Sequence, residues 1–491
     1  MSPAIATVCC VFMVLGLFWL DRDKEGRTSV ALWIPVVWLW LACSRMISGW
    51  LITEPDVGKS ADQVVDGTPV DRLVLSGLLA VGLVILFSRR KQAAKLLRAN
   101  TCIIVFLAYC AVSLLWSDFP GVAFKRWIRN VADLTMILIV LSDRDPLTAT
   151  QRVLARLSYI LIPLSILLIK YYPALGVNYG PWGGVADYAG VANNKNSLGA
   201  ICLCFGVGAL WRFLTACRSR EAIGRTRHMI AQGVVLAMVM YLFGKINAVT
   251  ATSTLVMASL LLLISNLRAV VRRPAIVHLA IAAMLAVSVC VVFFGASPGA
   301  LEAMGRNSTL TDRTAVWGVL LSQAQSPWLG TGFESFWLGP RLEMLWRRYW
   351  WHPGQAHNGY LEIFINLGWV GILLLAVILA RGYRSAFRTW RNRLPMGSLR
   401  LAYIFVGLVF NFTEAAFFRM QAPVWVFLLF GLVNVPPVSN RKTEPTDRNL
   451  FRHSTAMDWH VVLPIRCDDL ICKPFSGSVP RSPSSGPQMQ I

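Results

Sequence analysis

The sequence predicts an all-α, polytopic integral membrane protein with about 12–13 transmembrane helices and one large loop outside the membrane. Three observations carry this. Of 491 residues, 56% are hydrophobic and only 15% are charged, too few polar groups to cover a soluble domain of this size. Apolar runs recur along the whole chain, many approaching the roughly 20 residues needed to cross a bilayer. Lys and Arg are distributed unevenly between alternate loops.

The runs are 4–20, 30–51, 73–88, 102–116, 130–142, 157–172, 197–216, 229–244, 250–267, 275–295, 361–380, 400–413 and 421–436. The first reads as a span rather than a cleavable signal, because no basic segment precedes it and no A-x-A-like site stands before Asp21. All are expected to be helical, since lipid offers backbone groups no partner. The loops 21–27, 89–100, 143–156, 212–228, 268–274 and 381–400 hold 25 Lys and Arg in 77 residues, against 14 in 138 for the alternate set. The positive-inside rule therefore places the first set in the cytoplasm and the second, which includes 296–360, outside. The predicted organisation is helices over 1–295, a large periplasmic loop over 296–360, the last helices over 361–436 and a disordered cytoplasmic tail over 437–491, where the composition turns to Pro, Ser and charge. The location is the inner membrane, multi-pass.

The same distribution disposes of a tempting reading of the net charge of +22: it follows from loop topology, and nucleic-acid binding is not predicted. Most of the eleven cysteines lie inside apolar runs, where they act as small apolar side chains. Cys467 and Cys472, with His453 and His460, fit no zinc-ligand spacing. No Walker loop is present, no G-x-G-x-x-G followed by an acid stands on the inner side, and the outer loops lack a D-x-D or E-x-D pair. No metal and no cofactor is predicted.

The polar groups that invite a functional reading stand at the outer ends of the runs. They are Arg45, then Lys125, Arg126 and Arg129 in FKRWIRN, Asn194, Lys195 and Asn196 in VANNKNSLG, Arg306 and Arg313 in GRNSTLTDRTAVW, His352 and His357, and Glu414 with Arg419 in NFTEAAFFR. The cations lie where the topology rule does not ask for them, and a set converging on one leaflet points to an anionic ligand such as a lipid-linked phosphate or pyrophosphate, which guanidinium forks match. Taken singly, Arg45 and Arg419 are equally well read as snorkelling residues, and the FKRWIRN cations as headgroup contacts. Lys195 stands at a helix N-terminus, against the dipole's preference, which favours a ligand role. The neighbouring asparagines can cap the helix or bind sugar hydroxyls, and a cap explains only one of them.

The stretch WHPGQAHNGYLEIFINLGWVG, 351–371, is the sharpest. Asn358 makes a good N-cap for the helix that follows. His357 then stands at the positive end of a helix dipole, which disfavours imidazolium and predicts a neutral ring able to take a proton from a hydroxyl. Glu362, one turn from Asn358, is placed to orient that ring or to bind an acceptor.

GRNSTLTDRTAVW, SPWLGTGFESFW and AHNGYLEIFINLGWVG, in this order before the last spans, resemble the O-antigen ligase and polysaccharide polymerase superfamily. SRMISGWL at 44–51, LLWSDFPGVAFKRWIRN at 114–130, VANNKNSLG at 191–199 and NFTEAAFFR resemble its exopolysaccharide polymerase branch, so the likeness runs from about residue 44 to 430. It implies a glycosyltransferase C-like helical fold and a lipid-linked oligosaccharide donor, undecaprenyl-pyrophosphate-linked, used on the periplasmic face. It further implies metal-independent, inverting transfer of the sugar chain to another glycan or to lipid A core. The family's histidine maps to His357 and its loop arginine to Arg313, with Arg126, Arg129 and Arg45 for its phosphate-binding arginines. Where relatives often carry a basic residue after a Ser, this chain has TATSTLV, 250–256, which shifts that duty to Lys245, Lys195 or Arg126. The expected partners are the membrane, a chain-length regulator and export machinery. The expected function is polymerisation of exopolysaccharide repeat units. The alternatives are a ligase acting on lipid A core and, in a different class, a transporter or flippase of lipid-linked glycans. A flippase calls for charge along an inner cavity, and here charge gathers at one face.

Overall fold

A computed structural model describes residues 1–22, 28–51, 68–179, 186–218, 222–293, 309–324, 326–419 and 422–436, with only the backbone course described at 222–223, 291–293 and 309–315. The tail from 437 onward, with its cysteines and histidines, and Arg306 lie outside the described residues.

The architecture is helical, as predicted. In chain order the principal helices are α1 (Pro3–Leu20), α2 (Trp33–Ala42), α3 (Pro69–Ser88), α4 (Arg90–Ala99), α5 (Thr101–Val112), α6 (Pro120–Leu141), α7 (Pro146–Tyr171), α8 (Lys195–Ala216), α9 (Ala222–Ile246), α10 (Val249–Ser265), α11 (Ala275–Phe293), α12 (Thr309–Ser322), α13 (Gly339–Arg348), α14 (Gly359–Arg391), α15 (Gly397–Phe410) and α16 (Pro423–Leu432). Each of the thirteen apolar runs coincides with a helix. Among the described residues, however, only six helices are long and apolar enough to cross a bilayer alone, or seven if the bent pair α4–α5 is one span. Five further apolar helices are shorter, at 10–17 residues. The run 30–51 is interrupted at 43–46, and α16 closes after ten residues. Hydropathy measures apolar length, whereas helix length is also set by where loops enter the bundle.

The centre of the bundle is α8, which packs on α9 and α10, with α15 and α16 closing the other side. Small residues on α8 make this possible. A Cβ on Gly199 would lie 2.8 Å from the Ala248 side chain, so the backbones approach closely, in the manner of small-residue interfaces in lipid. Two strands interrupt the helical pattern before α8: Val177–Tyr179 pairs antiparallel with Ala186–Tyr188, in the register Asn178 to Asp187. This ribbon sets up the N-terminus of α8, where Asp187 Oδ1 accepts from Lys195 N at 3.0 Å.

The second notable feature is a break in α14. At Gly368 the backbone turns to φ 63°, ψ −164°, and two helical segments meet. The segment 327–332 supplies the hydrogen bonds the break removes. Thr331 N donates to Ile365 O at 3.1 Å and Gly332 N to Asn366 O at 2.9 Å, while Trp369 N donates to Pro327 O at 2.9 Å. The Tyr109 hydroxyl from α5 donates to Leu367 O at 2.9 Å. Irregular backbone at membrane depth is tolerated where protein satisfies it in this way. Only glycine fits at 368, because a Cβ there would stand 2.2 Å from Trp328 O.

Above the first segment of α14, a small second core forms from Val316, Leu320, Phe336, Trp337, Leu342, Leu345, Ala356 and Ile365. It roots the loop before α14 onto the bundle.

Candidate functional site

The site is built where three chain segments meet: the turn before α14, the turn between α15 and α16, and the N-terminus of α8. Asn358 caps α14, its Oδ1 accepting from Tyr360 N and Leu361 N at 3.0 Å each. Gly359 follows because the opposite turn presses on it. A Cβ at 359 would lie 2.0 Å from Asn411 Oδ1, and Gly359 N donates to Asn411 O at 2.8 Å. Asn411 in turn shapes the 411–419 turn, accepting from Ala416 N at 2.9 Å and Phe417 N at 3.1 Å. Asn194 caps α8 by accepting from Ser197 N at 2.9 Å.

These turns bring His357 and Glu414 together. Nδ1 of His357 lies 3.2 Å from Glu414 Oε2. Glu414 Oε1 accepts from Asn196 Nδ2 at 3.2 Å. A carboxylate only accepts, so the proton belongs on Nδ1 and the lone pair of a neutral ring on Nε2. Gln355 Nε2 lies 3.4 Å from the same Nδ1; both are donors once Nδ1 carries the proton, so this longer approach is a contact and the hydrogen bond runs to Glu414.

A second cluster adjoins the first. Glu362, only 2% exposed, accepts from the Trp337 indole, from Ala356 N at 3.0 Å and from Arg419 Nη2 at 2.9 Å. Arg419 also donates to Gln355 Oε1 at 3.0 Å, which ties this cluster to the residue touching His357. Arg126 donates to the backbone oxygen of Glu334 and lies 3.8 Å from its carboxylate. Burial pushes the Glu334 carboxyl above its usual range, against the lowering pull of Arg419 and Arg126 and with Glu362 adding to the rise. Burial opposes the charge of Arg419, but Glu362, Glu334 and Glu414 more than offset it and raise its pKa. Backbone strain concentrates at the same place. Glu334, His352, His357 and Phe418 all hold positive φ, between 47° and 60°, a conformation that non-glycine residues adopt only when the surroundings impose it.

Several site residues expected from sequence take other roles. Glu362 does not orient the histidine: it is held by Trp337, Ala356 N and Arg419, and Glu414 faces the ring instead. Asn358 and Asn194 have their side-chain oxygens occupied as helix caps. Arg45 donates to the carbonyls of Leu175 at 2.5 Å, Ala192 at 3.2 Å and Gly190 at 3.4 Å, and so braces the loop before α8. Arg419 and Arg126 are committed to carboxylates. The cluster is a mixed one, with Glu334 joining the expected Glu362 and Glu414 among the arginines.

Lys195 is exposed at the first residue of α8, next to Asn196. Arg129 follows Arg126 by three residues on α6. Arg313 lies in α12, its side chain outside the described residues. His352 stacks on Trp346, with ring centroids 4.9 Å apart. Glu334 and Gln355 escaped sequence reasoning. The signal was present for Glu334, the one acid in SPWLGTGFESFWLGP, on a segment otherwise apolar and glycine-rich.

Residues 233–376 match the O-antigen ligase family, a stretch that includes both the break at Gly368 and His357. The chain is also similar to the exopolysaccharide production protein ExoQ of Rhizobium meliloti (strain 1021), with 26% identity over 292 residues, 57% of this chain and 64% of the relative. The chain thus spans less than two thirds of that relative's length. Residues 233–376 are thus similar to the O-antigen ligase family and the chain is similar to an exopolysaccharide production protein, the matched stretch lying in a helical multi-pass bundle.

Proposed function

We propose that the protein polymerises exopolysaccharide repeat units by glycosyl transfer from an undecaprenyl-pyrophosphate-linked oligosaccharide on the periplasmic face of the inner membrane. The observation that carries this reading is the 3.2 Å contact between His357 Nδ1 and Glu414. It leaves Nε2 to accept the proton of an acceptor hydroxyl. The hydroxyl oxygen then attacks the anomeric carbon, the bond to the pyrophosphate oxygen breaks with inversion, and the lipid pyrophosphate leaves. Glu414 stabilises the imidazolium formed, as the carboxylate does in other base–orienter pairs.

Lys195, one residue from the amide that holds Glu414, with Arg129 on α6, is the cationic set that supports binding of the leaving pyrophosphate, Arg126 being engaged by Glu334. Arg313 is carried over from the family resemblance as a further cation in the outer loop. A chain-length regulator and export machinery are the expected partners. The family description favours a second reading, in which finished chains pass to lipid A core.

The test uses purified protein with a short lipid-pyrophosphate-linked oligosaccharide and neither ATP nor metal added, reading product length on a gel. A ladder with wild type that is lost in a folded, donor-binding His357→Ala variant supports polymerase chemistry. Elongation of added lipid A core without a ladder supports the ligase. Normal polymerisation by His357→Ala overturns the assignment.

A further inference from the structure

The end of α14 opposite His357 carries a second, unassigned site. A cavity of about 360 Å³ opens there between the α4–α5 joint, the last turns of α14 and the end of α16. Arg381, Arg384 and Arg388 line it. Their spacing of three, four and seven residues puts them on one stripe of the helix. Among the described residues none of the three side chains makes an ion pair or a hydrogen bond, and no acid lines the cavity. Most of the neutral polar groups in the wall are already engaged. The Asn100 amide donates to Leu96 O and Asn434 O and accepts from Asn434 N at 2.7 Å. Ser385 donates to Asn434 Oδ1 at 2.7 Å. The three guanidinium groups, with the Asn434 Nδ2 amide beside them, are therefore the donors left to a ligand.

The remaining wall is apolar, with Cys102, Ile103, Ile378 and Leu432. The adjoining α4 turns by 84° from α5. It buries Ala93 and Leu96 and carries Arg90, Lys91, Lys95 and Arg98, the pattern of a helix lying in the membrane interface. A cavity at that level, lined by both cationic and apolar side chains, matches an amphiphile with an anionic head. Loop topology alone asks for positive charge near this face; it does not ask for three arginines to line one cavity.

We infer that this cavity is a binding site for an anionic phospholipid of the leaflet opposite the His357 site, its phosphate held by Arg381, Arg384 and Arg388 and its acyl chains leaving along Ile103 and Ile378. The site is independent of the chemistry proposed above.

The test is native mass spectrometry of the full-length detergent-solubilised protein titrated with phosphatidylglycerol, phosphatidylcholine or inorganic phosphate. Wild type is compared with Arg381→Gln/Arg384→Gln/Arg388→Gln and with Arg225→Gln/Arg272→Gln/Arg273→Gln, which removes the same charge from exposed positions elsewhere on the basic face. Melting temperature confirms folding. If the cavity triple does not fold, Arg384→Gln replaces it, with roughly 5-fold weaker binding expected. The expected result is phosphatidylglycerol bound in preference to phosphatidylcholine, at least about 10-fold weaker in the cavity triple and unchanged in the other. Equal loss in both triples, or no loss in the first, overturns the site. Displacement of phosphatidylglycerol by equimolar inorganic phosphate overturns the lipid assignment.

Discussion

Glu414 reaches across 57 residues of sequence to face Nδ1 of His357 at 3.2 Å. The pairing is made by two turns that fit each other at Gly359 and Asn411, so the ring's orientation depends on a segment that lies beyond the next two helices, α14 and α15. Replacing Glu414 by Gln keeps the side chain's shape but removes the charge that stabilises an imidazolium. The turnover of a Glu414→Gln variant is expected to fall on the order of 10²–10⁴-fold with donor binding largely retained, as single-turnover and binding measurements run side by side will check.

Arg419 and Glu362 form an ion pair of 2.9 Å whose carboxylate side chain is only 2% exposed. Removing the cation leaves that charge buried and unpaired. Arg419→Met is expected to lower stability by about 3 kcal/mol, and Arg419→Met/Glu362→Gln to recover a good part of it. Thermal unfolding in detergent of the single and double variants measures this.

Glu334 provides a pH test. Burial raises its folded-state pKa above the ordinary carboxylate value of 4.5. A raised carboxyl pKa contributes stability that is present at low pH and lost as pH climbs through the folded value. Glu334→Gln removes that dependence. Its melting temperature relative to wild type should therefore rise as pH goes from about 4.5 to 8. A difference that stays flat, or falls, across that range contradicts the burial argument.

Gly368 holds the break in α14. Its φ of 63° and the 2.2 Å that would separate a Cβ from Trp328 O leave no room for a side chain. Gly368→Ala is expected to cost about 2 kcal/mol or more, where Gly→Ala within an ordinary helix stabilises. Increased proteolysis of the 326–338 segment is the accompanying sign.

Much of this molecule was legible in its sequence. Apolar runs located the helices, because hydropathy acts on each segment by itself, and Asn358 announced itself as a cap because capping is a local hydrogen bond. The choice of partner for His357 was not legible. Glu362 is the nearer acid in sequence, but a carboxylate one helical turn inside α14 faces the small core around Trp337, and the ring looks the other way, toward the 411–419 turn. The neutralisation of the arginines was hidden for a related reason: charge counting sees that cations share a leaflet, whereas their pairing with Glu334, Glu362 and backbone carbonyls is decided by packing. Helix lengths were overread where loops enter the bundle, as at 43–46.

The interrupted α14 also bears on how the chain is made. Its backbone becomes complete only when Pro327, Thr331 and Gly332 are already at hand, and those residues leave the ribosome before the helix does. The segment that completes the break is thus synthesised before the helix it completes. Until that segment packs against the break, the carbonyls of Ile365 and Asn366 lack the donors that satisfy them in the finished fold, so the two halves of α14 and the 327–332 segment are completed together.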